Sequence, residues 1–137
     1  MIRFLLPILL LTILFPALAF GETYSDLVKR DGVYFKKRTD VPFTGKVTGD
    51  EQGSLKDGKK VGPWVTYWDN GQLKLKVTYK DGKEDGPYLG YRKNGQLDSK
   101  GTYKNGKKEG PWVRYDYDDG TVWEMMTGTY KNGLKVK

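Results

Sequence analysis

The residue types that most often carry catalysis are scarce in this chain of 137 residues. It has no histidine and no cysteine, which removes the imidazole base, the thiolate nucleophile and the usual zinc ligands. Serine occurs only as Ser25, Ser54 and Ser99, and none of the three lies in a Gly-x-Ser-x-Gly nucleophile motif. Carboxylates are therefore the remaining candidates for the catalytic groups of an enzyme.

The densest group of carboxylates precedes Gly120 and consists of Asp116, Asp118 and Asp119. It matches a calcium-binding loop only in part, because the glycine comes one place early and Met126 stands where a bidentate glutamate is needed. Asp118 and Asp119 are adjacent in the sequence, and nothing places them on two sides of a substrate. We therefore predict a solvated turn, a protein that is not an enzyme, and no metal site or cofactor.

Lysines cluster around the Asp-Gly and Asn-Gly dipeptides, and the chain carries a net charge of +7. If these dipeptides form turns along one edge of a sheet, their lysines form a stripe. Anionic lipid would attract such a stripe with about 1 kcal/mol per lysine. The alternative is that the lysines only solubilise exposed turns and block edge-to-edge pairing. The candidate lipid-binding residues are Lys59, Lys60, Lys83, Lys107 and Lys108.

Aromatic residues follow three Gly-Pro pairs, and they are Trp64, Tyr88 and Trp112. Strand alternation places Trp64 and Tyr67 on opposite faces. If the Tyr67 face is packed, the other face exposes a row of rings that would anchor a protein partner. The alternative is that the protein covers both faces with its own rings and lysine stems. Rings and cations together also suit nucleic acid, but the modest charge and the predicted export argue against that partner.

These candidate residues belong to a repeat, because Gly-Pro recurs at positions 62, 86 and 110 with a period of 24 residues. A tyrosine and an Asn-Gly or Asp-Gly dipeptide follow each pair, and a second such dipeptide closes each unit. The third unit is expanded around 116–118 and 123–126. A period between 20 and 50 residues is typical of repeat architectures, in which neighbouring units share a core.

Each unit is predicted to form two strands, since apolar and polar residues alternate between the turns. Asn-Gly and Asp-Gly favour type I′ hairpin turns, and the Gly-Pro pairs are placed at strand starts. The fold class is all-β, with a meander of hairpins that forms an elongated, twisted antiparallel sheet. Two ladders of tyrosines are expected across the strands: Tyr67, Tyr91 and Tyr115, then Tyr79, Tyr103 and Tyr130.

The phrases "KDGKKVGPWVTYWDNGQ", "KDGKEDGPYLGYRKNGQ" and "KNGKKEGPWVRYDYDDG" resemble the MORN repeat. More closely, they are similar to a bacterial MORN-variant family that is often catalogued as an antitoxin component of toxin–antitoxin pairs. Upstream, "LVKRDGVYFKK" and "VPFTGKV" resemble the entry segment of that family, so the resemblance covers residues 27–137. It implies a binding or scaffold role and supplies no catalytic residues. An antitoxin usually meets its toxin in the cytoplasm, so either the label is a family name without function in this chain, or the partner is an exported or envelope toxin.

The N-terminus has the layout of a secretory signal peptide, with a positive Met1–Arg3, an apolar Phe4–Phe20 and cleavage after Ala19 or Gly21. The alternative is an uncleaved anchor, since 17 apolar residues are at the lower limit for spanning a bilayer.

We predict a signal peptide at 1–21, an entry hairpin or cap at 22–47 and repeats at 48–137. The mature protein would be secreted, periplasmic or in the cell envelope. Its leading function is a protein-interaction scaffold, and self-association through the open sheet end at 130–137 is also expected.

Overall fold

A computed structural model describes residues 21–137. The predicted signal peptide and its cleavage after Ala19 fall on residues that lie outside this range, and of that segment only Gly21 is described. Strands dominate the described residues, and the two helices among them are short 3₁₀ turns. Neither of these helices is long and apolar enough to cross a membrane.

The sheet is built from short, regularly spaced strands, as the turn spacing predicts. The described elements are, in chain order, β1 (Glu22–Thr23), η1 (Tyr24–Asp26), β2 (Leu27–Arg30), β3 (Val33–Lys36), β4 (Gly45–Thr48), β5 (Glu51–Lys56), β6 (Lys59–Tyr67), β7 (Leu73–Lys80), β8 (Lys83–Tyr91), β9 (Leu97–Lys104), β10 (Lys107–Arg114), η2 (Glu124–Met126), β11 (Gly128–Lys131) and β12 (Leu134–Lys135).

Ten of these strands form one long sheet in the order β1-β4-β5-β6-β7-β8-β9-β10-β11-β12, and β2 pairs with β3 as a separate hairpin. Every neighbouring pair from β4 to β12 is antiparallel, whereas β1 runs parallel to β4. The predicted all-β meander of hairpins is therefore confirmed, with one parallel strand added at its first edge.

Two kinds of turn alternate along the meander. Asp57 and Gly58 both have positive φ, at 49° and 73°, and the same holds at 81–82, 105–106 and 132–133. These are the signs that a type I′ turn requires, so that prediction is confirmed there. At 70–71 and 94–95 it is wrong, because only the glycine has positive φ. There the loop is longer, and Trp68 N–H donates to the carbonyl of Gln72 at 2.7 Å.

The type I′ turns stack on one another along one edge of the sheet. Gly82 N–H donates to the carbonyl of Lys60 at 2.9 Å, Gly106 to Glu84 at 2.8 Å and Gly133 to Lys108 at 2.9 Å. Each turn is thereby hydrogen-bonded to a strand of the preceding unit. We call this row of turns the lysine edge, after the exposed Lys59, Lys83 and Lys107 that begin β6, β8 and β10.

The Gly-Pro pairs do not begin strands, which corrects the prediction. Gly62 and Pro63 lie inside β6, and the pairs at 86–87 and 110–111 lie inside β8 and β10. Along β5 and β6, Ser54 pairs with Val61 but Gln52 pairs with Val65, so the register shifts across the Gly-Pro pair. Gly62 has a φ of 67°, which favours glycine at this bulge.

The core lies on the face that carries the residue after each Gly-Pro pair. Trp64 is 1% exposed and Trp112 is 4% exposed, and Trp64 packs with the buried Leu27, Val47, Leu55 and Val77. Tyr24 of η1 and Tyr34 of β3 cover the Trp64 end of this face. The core therefore forms where the N-terminal hairpin closes over the first repeat.

Two glycines make room for the indole rings. A Cβ added to Gly53 would lie 2.2 Å from the Trp64 ring, and one added to Gly101 would lie 2.2 Å from the Trp112 ring. Each ring therefore lies directly on the backbone of the neighbouring strand. Only glycine at these two positions lets the rings approach so closely.

Candidate functional site

The predicted row of exposed aromatic anchors is wrong, because Trp64 and Trp112 belong to the packed face and Tyr88 is half-buried between them. The reason is the strand register. Trp64 pairs directly with Val77, and directly opposite residues share a face of the sheet. The face of Trp64 is therefore the face of Val77, which buries the ring.

The rings that contact one another in the structure are therefore not all the rings that were predicted to do so. Ring contacts join Trp64 to Tyr79 at 6.2 Å, Tyr88 to Tyr103 at 5.6 Å and Tyr88 to Trp112 at 5.1 Å. One predicted ladder, Tyr79 with its equivalents, takes part in these contacts. The other predicted ladder does not: within residues 21–137 none of its members makes a ring–ring contact, and those members are Tyr67, Tyr91 and Tyr115.

The five candidate lipid-binding lysines do not form one stripe. Lys59, Lys83 and Lys107 are exposed on the lysine edge, whereas Lys60 and Lys108 turn onto the packed face. The Nζ of Lys60 lies 4.2 Å from the Trp64 ring centroid and forms an ion pair with Glu51.

Lys108 makes the equivalent contact in the third repeat. Its Nζ lies 4.4 Å from the Trp112 ring centroid. Burial, with a smaller contribution from the nearby Arg114, lowers the pKa of Lys108. Of the five candidate lysines, only Lys59, Lys83 and Lys107 are therefore exposed on this edge for contact with a membrane.

The packed face has a groove in the part of the sheet that the N-terminal hairpin does not cover. Two adjoining cavities of about 470 and 180 Å³ share Trp68, Tyr91 and Asp98 in their walls. The larger cavity ends against Tyr117, and the smaller one continues over Gly90. We call this surface the aromatic groove, and its further lining residues are Lys74, Leu75, Tyr88, Arg92, Lys93 and Asn94.

Arg92 fixes the wall of the aromatic groove. Its side chain is only 6% exposed, and its guanidinium donates to the carbonyls of Tyr115 at 2.6 Å, Asp116 at 2.6 Å and Tyr117 at 3.1 Å. Its Nε lies 3.6 Å from a carboxylate oxygen of Asp98. A buried guanidinium bound to three carbonyls holds the third repeat against the second.

The third repeat contributes a longer connection, residues 116–126, which we call the insertion. Tyr117 and Met125 are 79% and 77% exposed, and Val122, Trp123 and Met126 are also exposed. Insertions in repeat proteins often lie on the binding face. The insertion therefore places Tyr117 in the wall of the aromatic groove and carries further exposed apolar side chains in the same short segment.

The carboxylates of the insertion mostly organise its own turn. Asp116 accepts a hydrogen bond from Asp118 N–H at 2.9 Å, and Asp119 accepts from the N–H and the hydroxyl of Thr121. The bonds from Thr121 lower the pKa of Asp119. In the part of the chain that the structure describes, no group of three or more carboxylates is arranged to hold a metal ion.

Sequence reasoning missed Trp68, Arg92 and Tyr117 as site residues. Trp68 and Arg92 share one position in the repeat, directly after the tyrosine of each unit, and that position offered a signal. It was not recognised because the two residues differ in type. Tyr117 lies in the expanded unit, where the period gives no counterpart.

The units seen in the structure agree with a family model that matches part of the chain. A family model described as the MORN repeat variant matches residues 60–81 and 84–105, two stretches whose starts differ by one period. No curated protein and no solved structure matches the chain. The two matched stretches begin within β6 and β8, next to the stacked turns of the lysine edge. Residues 60–81 and 84–105 of this chain are therefore MORN repeats of the variant form.

Proposed function

We propose that this protein is an exported, non-enzymatic scaffold that holds a protein partner in the aromatic groove. The observation that carries the proposal is the groove itself, about 470 Å³ between Trp68 of one repeat and Tyr117 of another. Grooves lined by aromatic rings with a few convergent polar groups are typical of binding sites. MORN repeats support the role of an interaction surface. The half-buried Trp68 and the exposed Tyr117 replace the buried Trp64 and Trp112 as its anchors.

The polar groups of the aromatic groove favour binding over catalysis. Arg92 is committed to three backbone carbonyls, and Asp98 lies between Arg92 and Arg114 at 3.6 and 3.8 Å. Among the residues that line the two cavities there is no serine, threonine or cysteine to act as a nucleophile. An antitoxin would be one form of this scaffold, with an exported or envelope toxin in the groove.

The test is site-specific photo-crosslinking in the cells that make the protein. A photoreactive amino acid in place of Tyr117 is expected to give a discrete adduct, and Trp68→Ala in the same chain should reduce its yield severalfold. The control position is Val41, which is 72% exposed in the segment before β4. The same adducts from both positions, or none from Tyr117, would contradict the scaffold proposal.

A second candidate function, peripheral binding to anionic lipid, is favoured by one observation. Cβ atoms built on Gly82 and Gly133 would lie 3.6 Å from the Cβ atoms of Lys59 and Lys107, so turns and lysines stack in a regular row. Such a row places lysines along one edge, with the carboxylates of Asp85 and Glu109 bound to its turns, and the lysines suit an anionic surface.

A further inference from the structure

We infer that the partner segment is basic and inserts a large apolar side chain between the aromatic groove and the insertion. This inference rests on the proposed scaffold function and names the chemistry of its partner. It is carried by two properties of the insertion, its exposed apolar side chains and its charge.

The apolar contribution comes from one continuous segment. Tyr117, Val122, Trp123 and Met125 are all exposed, although each is large and apolar or aromatic. Single exposed apolar residues are common, but several in one short segment that reaches the groove through Tyr117 indicate a contact surface. Tyr117 belongs to both the groove and the insertion, so a side chain seated in the groove would touch the insertion as well.

The charge of the insertion is opposite to that of the protein. It contains four carboxylates and no lysine or arginine, in a chain with a net charge of +7. Within residues 21–137 none of these carboxylates forms an ion pair, and they are Asp116, Asp118, Asp119 and Glu124. The insertion is therefore an acidic surface on a basic protein.

The cations closest to the insertion are already engaged, and one of them, Arg114, lies over the Trp123 ring at 5.6 Å and beside Asp98 at 3.8 Å. Arg92 donates to three carbonyls, and Lys135 Nζ lies 3.4 and 3.2 Å from the carbonyl oxygens of Glu124 and Met125. Lys93, on the rim of the groove, is paired with Asp69 at 2.9 Å. The carboxylate side chains of Asp118 and Glu124 remain exposed for a partner's cations.

This charge pattern favours a basic protein segment over polyanionic partners. Carboxylates of the insertion repel anionic lipid headgroups and nucleic acid phosphates. A basic peptide is attracted to the insertion and repelled by the lysine edge, which directs it to one side of the sheet. Specificity would then come from both the attractive and the repulsive surface.

Fluorescence anisotropy with two dye-labelled peptides tests the inference on the purified protein. Both peptides have twelve residues and a central Phe-Leu pair, and one carries six lysines where the other carries six glutamates. We expect the lysine peptide to bind at least tenfold more tightly than the glutamate peptide, and its binding to weaken as salt is added. Equal binding of both peptides, preference for the glutamate peptide, or no binding of either overturns the inference.

A matched pair of variants then locates the binding surface. Asp118→Asn with Glu124→Gln is expected to weaken the lysine peptide about threefold or more, since it removes two exposed partners for cations. Asp57→Asn with Asp81→Asn removes the same charge from the lysine edge and should leave binding unchanged. Asparagine is tolerated there, because Asn105 holds the same turn position with a φ of 49°.

A separate variant tests the apolar contact of the insertion. Different results would contradict the scaffold proposal and the inference of a basic partner. Met125→Ser should weaken the lysine peptide as well, because it removes an exposed apolar contact. Equal losses in both charge-matched variants would overturn the inference. If the yield of the crosslink from position 117 is unchanged by Asp118→Asn with Glu124→Gln, the scaffold proposal stands and the proposal of a basic partner is wrong. No crosslink at all would remove the scaffold.

Discussion

Arg92 occupies in the second repeat the position that Trp68 occupies in the first, and both donate to the carbonyl of a tyrosine in the following repeat. Trp68 Nε1–H donates to Tyr91 at 3.1 Å, and the Arg92 guanidinium donates to Tyr115 at 2.6 Å. The acceptor lies 23 residues later in each case. One repeat position thereby ties consecutive units together, and in the second repeat it also supports the insertion.

Replacing Arg92 by lysine is expected to destabilise the fold by about 3 kcal/mol, because an ammonium cannot reach three carbonyls and leaves buried polar groups unpaired. Urea unfolding measures the loss, and limited proteolysis should show faster cleavage within 116–126. Arg30→Lys is the control, since Arg30 is partly exposed in the β2–β3 hairpin. Equal effects of the two substitutions would contradict the role given to Arg92.

Trp64→Ala is expected to cost about 3–5 kcal/mol of folding free energy, the range for truncating a buried aromatic side chain. Trp64 is 1% exposed and packs against Val77 and the N-terminal hairpin. Trp123→Ala removes the same side chain type from the exposed insertion and should cost less than 1 kcal/mol, about the size of a surface substitution. Chemical unfolding followed by far-ultraviolet circular dichroism compares the two, and similar losses would show that Trp64 is not in the core.

The sequence was sufficient for the repeat, the strand pattern and the type I′ turns of the lysine edge, because these depend on local properties. A period of 24 residues and the Asp-Gly pairs are visible without any knowledge of neighbours. The choice of the packed face was not local. It follows from the pairing of Trp64 with Val77 and from the space above Gly53, both of which depend on register between strands.

The candidate site was harder to predict than the fold. The aromatic groove joins Trp68 and Asp98 to Tyr117, residues from three repeats that approach only when the sheet has formed. Alternation suggested which residues share a strand face, but it did not show that the insertion closes one end of that face. The lysine edge was predicted in part, since the stacking of turns is periodic and places Lys59, Lys83 and Lys107 in one row.

Alkaline pH is expected to destabilise the protein through Tyr79. Burial, followed by the charges of Glu84 and Glu51, raises the pKa of Tyr79 from 10.0 to about 12. Above pH 10 the unfolded phenol loses its proton while the folded one keeps it. The unfolded state then binds fewer protons, so this contribution to stability is complete below pH 10 and is lost as the pH rises to about 12.

Urea unfolding at several pH values between about 9 and 12 measures this loss. Tyr79→Phe cannot ionise at this position, so the decline of the unfolding free energy with pH should be shallower than in the wild type. Tyr117→Phe, which removes the hydroxyl from a residue that is 79% exposed, is the matched control and should keep the wild-type slope. The assignment to Tyr79 is wrong if both variants decline as the wild type does.

The lysine edge makes a separate prediction for lipid binding. If it contacts a membrane, the protein should sediment with anionic vesicles at low salt, remain free with neutral vesicles and be released near physiological salt. Reversing Lys59, Lys83 and Lys107 to glutamate should abolish sedimentation, because about 1 kcal/mol per lysine is lost and repulsion is added. Lys60 and Lys108 are left unchanged, since their ammonium groups lie against Trp64 and Trp112.

The control for this reversal changes the same total charge away from the turns. Three exposed lysines in the middle of strands β4, β7 and β9 serve, and they are Lys46, Lys76 and Lys100. Vesicle binding that survives in this control and disappears in the edge variant would assign the contact to the lysine edge, because net charge is equal in the two. Equal loss in both would mean that the overall positive charge, and no particular surface, attracts the vesicles. If the wild-type protein does not sediment with vesicles, lipid binding is ruled out as its function and the aromatic groove remains the candidate binding surface.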